Sequence, residues 1–182
     1  PYLLLYSHQL ATGNRSAAPK LSFAYCLLIL SHIPTTLLMS PFICLHYWVV
    51  STSPKKALKV CLALAYGVGL SAFYLIPVFF LKKHISIPQL NVGRYYYENA
   101  FLLVGGKLFP EWASFWVMLN NLAMISLALA ILTIVVQSKP TRLAWFFFLT
   151  CILSIFMMYP SALIAWQALP PLQIVQFPWR FF

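Results

Sequence analysis

Marking every Lys, Arg and Glu along the 182 residues leaves uncharged, mainly apolar stretches at 21–54, 60–81, 112–138 and 143–179. Each is longer than the ~20 residues that carry a helix across a hydrocarbon core. A soluble core has no use for four such stretches, so the pattern predicts an all-α integral membrane helical bundle. Residues 2–10 read as part of a helix that Gly13-Asn14 ends within ATGNRSAAPK, with Pro19 placed to open the next. Residues 57–81 form the clearest span, and its Gly67, Gly69, Ser71 and Ala72 invite close helix contact. The next span is expected over 111–137, preceded by Pro110 and with Glu111 in its first turn, where the helix dipole favours a negative charge. Another is expected over 143–159. Residues 82–110 read as an outer linker. Residues 160–182 carry Pro160, Pro170, Pro171 and Pro178, too interrupted for a simple span. Such backbone survives at membrane depth only when packed in protein or lining a wet cavity, so this stretch is expected at the interface, with SALIAWQAL as a short helix.

Residues 20–53 admit two arrangements, one long kinked span or two short helices, 20–32 and 34–52, broken at SHIPTT. Charge placement prefers the hairpin, because it puts the basic connections at 11–20 and 54–59 on one side, together with 138–142. Length opposes it: about 32 residues reach roughly 48 Å, short of two full crossings. The resulting expectation is a single transmembrane domain over 1–182 with about five membrane-embedded helices and a short interfacial one. The apolar opening PYLLLYSHQL reads as the end of a helix rather than a cleavable leader, which fits a piece of a larger polytopic protein.

Composition agrees: 62% hydrophobic and 8% charged residues leave too few charges to solubilise a surface. The net charge of +10 would suggest nucleic acid in a soluble protein. Here the cations sit in short connections (Arg15, Lys20; Lys55, Lys56, Lys59; Lys139, Arg142), where they fix orientation and meet anionic lipid headgroups. Membrane lipid is therefore the expected partner, and nucleic acid is not. Cys26, Cys44, Cys61 and Cys151 fall in apolar windows without metal-ligand spacing and read as small packing residues.

On the hairpin topology, three unusual segments converge on the outer face: SHIPTT, the linker, and the closing WQALPPLQIVQFPWR. His32 and Thr35 could bind a phosphate or sugar, or could cap a helix break. Glu98, in RYYYENAF, supplies the minimum for a general base or for a divalent cation on a lipid phosphate, or it pairs with Arg94 in a loop. Arg180, with Gln176 and Trp179, suits a carboxylate or phosphate held by a planar guanidinium beside an interfacial anchor, or snorkels at the start of another helix. His84 is assigned to the interface and His46 to the apolar wall. No GxGxxG, P-loop, HExxH or GxSxG is present, and there is no Asp. These absences argue against a self-contained hydrolase, kinase or metalloenzyme, and no cofactor is evident beyond that divalent cation.

At LLILSHIPTTLLMSP, GLSAFYLIPVF and WQALPPLQIVQFPWRFF the chain resembles bacterial polytopic membrane proteins with a 6-pyruvoyl-tetrahydropterin-synthase-related domain. Nothing in it looks like the histidine site of the soluble enzyme behind that name. The resemblance implies a multi-pass protein of the bacterial inner membrane, similar in layout to the C-type glycosyltransferases that use lipid-linked sugars. Their catalytic acid lies in a first outer loop, which would be upstream of Pro1. His32, Thr35, Arg94, Glu98, Gln176, Trp179 and Arg180 would then contact phosphate or sugar. A transporter or flippase of a lipid-linked substrate, or a non-catalytic membrane subunit, is the alternative.

Overall fold

The computed structural model describes residues 1–51, 54–81, 96–173, 175 and 177–178, which are helical and contain no strand. They divide into two compact units, 1–85 and 86–182.

The first unit begins with α1 (Tyr2–Ala11). Gly13 closes it at φ +108, a backbone conformation that L side chains rarely adopt. The Asn14 side-chain oxygen then accepts bonds from the Ser16 amide (3.1 Å) and hydroxyl (2.7 Å), turning the chain into α2 (Ala17–Ser31). At His32 the backbone is extended, with φ −164 and ψ 97, and α3 (Ile33–Val50) starts behind it. The chain folds back here. The hydroxyls of Tyr25 and Ser40 meet at 2.6 Å, whereas 15 residues of continuous helix would separate their backbones by about 22 Å. Ser40 already donates to the Thr36 carbonyl at 2.6 Å, so Tyr25 is the donor between them. A second tie joins α1 to α3: Ser7, fully buried, donates to the Leu4 carbonyl, so the Nδ1–H of buried His46 donates to Ser7 Oγ at 3.0 Å. His46 is therefore interior and hydrogen-bonded rather than part of an apolar wall.

Against α2 packs α4 (Pro54–Leu70), whose Val60, Ala63, Leu64 and Gly67 are buried at helical spacing. A Cβ on Gly67 would stand 2.7 Å from the Ser22 carbonyl oxygen of α2, so only glycine permits this approach. The stretch expected as one span over 57–81 bends by 68° before α5 (Ala72–Leu81). Ser71 Oγ donates to the carbonyls of Gly67 and Val68 at 3.1 and 2.9 Å, the back-bonding that bends helices. Pro77 further weakens the hydrogen-bond ladder of α5.

In the second unit a short 3-10 turn, Tyr97–Ala100, leads into α6 (Leu102–Leu108). The described end of the expected linker is thus helical. A Cβ at Gly105 would fall on the indole of Trp116, so glycine is what allows this contact. Next come α7 (Ala113–Val136) and α8 (Arg142–Met157). The short loop between them carries Thr141, whose Oγ1 caps α8 by accepting from the Ala144 amide at 3.1 Å. The two helices run antiparallel, and Tyr159, just past the end of α8, donates to Asn120 near the start of α7 at 2.7 Å. The chain then turns by 92° into Pro160–Ala168, which holds α9 (Leu163–Ala168), followed by α10 (Pro170–Gln173).

Ile33–Val50 and Pro110–Val136 are long and apolar enough to cross a membrane, and four stretches are if each bent pair counts as one span. The expected number, about five, is not confirmed among the described residues. At 15 residues α2 extends only about 22 Å, and the span expected over 57–81 includes a sharp bend.

Candidate functional site

Among the described residues the structure brings His32 and Thr35 together. The Nδ1 of His32 accepts from the Thr35 amide at 3.1 Å and lies 2.9 Å from its hydroxyl. With Nδ1 accepting, the ring proton of neutral His32 sits on Nε2. This pair caps the N-terminus of α3, where Pro34 costs no hydrogen bond. The capping alternative accounts for every polar contact His32 makes here. Ser31 likewise bonds back to the Leu28 carbonyl at 2.9 Å.

Glu98 lies in the second unit, half-buried on the 3-10 turn. Its Oε1 accepts from the Tyr97 hydroxyl at 3.2 Å and, more weakly, from Gln167 Nε2 at 3.4 Å. These donors stand on a fixed aromatic base. The Tyr97 ring stacks on Trp166 with centroids 5.5 Å apart and planes 10° apart, and Phe101 meets Trp166 edge-on at 6.0 Å. Trp166 itself is fully buried. Its Nε1–H donates to the Met157 carbonyl at 3.1 Å, and the Leu102 amide donates to the Met158 carbonyl at 3.0 Å. Two carbonyls at the C-terminal end of α8 thereby find the partners that a helix end lacks within itself. Burial, with smaller contributions from the neighbouring Tyr96 and from Glu98, pushes the Tyr97 phenol up to about 12.

The turn thus presents one oriented carboxylate, with no hydrogen bond to Oε2 among the described residues. It can accept from hydroxyls or coordinate a cation. No group of three His, Cys, Asp or Glu side chains able to hold a metal occurs among the described residues. Arg94, Gln176, Trp179 and Arg180, and His84 with them, lie outside those residues. The sequence reading missed Tyr97, Trp166 and Gln167 as the support of Glu98. The signal available was thin: Trp166 and Gln167 are one Trp-Gln pair in an apolar stretch beyond the break at Pro160.

Comparison with protein-family models, with curated proteins and with solved structures finds no match to this chain.

Proposed function

We propose that the protein is an integral membrane protein of the bacterial inner membrane that acts on a lipid-linked sugar at the outer face, as a glycosyltransferase. The observation that supports this reading most is Glu98: a single carboxylate, held by Tyr97 and Gln167 on a rigid aromatic base, in a chain otherwise built for lipid. A polar group locked before the substrate arrives costs little to order on binding. A sugar on a lipid carrier matches both parts, with hydroxyls for the carboxylate and an apolar tail for the helices. In this reading Arg94 and Arg180 meet the phosphate, with Gln176 and Trp179 beside it.

The test is binding of a radiolabelled polyprenyl-phosphate sugar to the full chain in nanodiscs, comparing the unaltered protein with Glu98→Gln. Losing a hydrogen bond to a charged group is worth about 1.5–3 kcal/mol, so binding should weaken at least tenfold while the protein stays folded. Equal binding by both removes Glu98 from the site.

A transporter or flippase is the second reading, favoured by the bends of 68° and 92° in two apolar stretches, since broken helices form the substrate sites of many transporters. Movement of the labelled lipid between leaflets of proteoliposomes, without sugar transfer, would select it.

A further inference from the structure

The first unit has a groove that the proposed sugar site does not use. It runs between α2 and α4, has a volume of about 730 Å³, and has Arg15 and Lys59 among its lining residues. That volume falls within the roughly 300–1,000 Å³ of small-molecule sites. Its floor is made of small residues, Ala18 and Ser22 from α2 and Ala63 from α4, while Leu62, Tyr66 and Leu70 form an apolar wall. The wall is open to the surroundings, with Tyr66 71% exposed. From Lys59 to Leu70 the groove follows α4 for about 16 Å, close to half of the ~30 Å hydrocarbon core and so to one leaflet. Arg15 is held at its head by the Gly13 turn and by its own carbonyl, which accepts from the Ala18 amide at 3.2 Å.

Residues 1–85 contain no Asp or Glu, so neither cation has a carboxylate within its own unit. We propose that this groove binds one anionic glycerophospholipid of the cytoplasmic leaflet, with the phosphate between Arg15 and Lys59 and an acyl chain along Leu62, Tyr66 and Leu70. The basic end is the cytoplasmic one by the charge rule for membrane connections, and that leaflet carries anionic lipid. A bare anion would leave the apolar wall unused, and the longer chain of a polyprenyl phosphate would run past Leu70.

The experiment is native mass spectrometry of the full chain with dioleoyl phosphatidylglycerol or dioleoyl phosphatidylcholine, repeated on R15Q/K59Q and on Lys20→Gln. Lys20 is exposed on α2 and does not line the groove. The unaltered chain should prefer phosphatidylglycerol, and the double variant should lose on the order of thirty-fold of that binding, as expected for two cations near a headgroup. Lys20→Gln should retain it. Equal retention of the two lipids overturns the proposal, as does a loss in Lys20→Gln matching that of the double variant. Displacement of phosphatidylglycerol by inorganic phosphate, or its tighter replacement by undecaprenyl phosphate, also overturns it. Should the double variant not fold, salt decides on the unaltered chain. A preference for phosphatidylglycerol that falls as salt rises supports the site, and one indifferent to salt refutes it. The result is independent of Glu98 and of sugar binding.

Discussion

Tyr97 links the support of Glu98 to something that can be titrated. Its phenol, at about 12 against an ordinary 10, is held protonated mainly by burial and secondarily by Tyr96 and the charge and hydrogen bond of Glu98. Because the folded value is the higher one, its stabilising contribution is complete below pH 10 and is lost as pH rises through about 12. Glu98→Gln should therefore lower the Tyr97 midpoint, read by NMR of ring-labelled tyrosine, and an unmoved midpoint would mean that Glu98 does not face this hydroxyl. Residue-scale chemistry was only partly legible beforehand. Sequence reasoning could nominate His32 and Glu98 because ionisable groups are rare in this chain. It could not see that Gln167, 69 positions away, reaches Glu98, or that Ser7 and His46 pair across 39. The sequence leaves His32 open between ligand and cap, and its contact with Thr35, three residues on, is a local bond of the kind that helix starts require.

Between elements, what holds α2 to α4 is the absence of a side chain. Gly67 faces the Ser22 carbonyl, while Gly69, two positions on, faces open space. Gly67→Ala must push the helices apart and should cost about 1–3 kcal/mol. Gly69→Ala should be neutral or stabilising, by up to about 1 kcal/mol, through helix propensity. Unfolding of both variants in detergent checks this, and equal effects would contradict the packing described. The sequence marked both glycines alike, because composition shows that small residues are present but not which face they occupy. The same limit hid the bend at Ser71. Hydropathy runs unbroken from 60 to 81, and only the hydroxyl's bonds to Gly67 and Val68 reveal where the helix turns. The break at Pro160 was readable because proline acts through local backbone geometry.

For the molecule as a whole, the distribution of charge governs orientation. All-helical structure and apolar stretches follow from composition, and the charge rule for membrane connections predicts that the basic connections at 11–20 and 54–59 of the first unit face the cytoplasm. The claim on which this orientation depends is that α2 and α3 form a hairpin. Within the first unit the bond between Tyr25 and Ser40 closes the fold, and Arg15 and Lys59 line one cavity. A single kinked span would have put those two cations on opposite sides of the bilayer. The most direct test uses spheroplasts and a protein whose four native cysteines are replaced by alanine, with one cysteine at Asn14, Ser31 or Lys56. A membrane-impermeant thiol reagent should leave Asn14→Cys and Lys56→Cys untouched until the cells are opened and should label Ser31→Cys from outside. Labelling of Asn14→Cys and Lys56→Cys from opposite sides would contradict the hairpin, and with it the shared basic end of the groove.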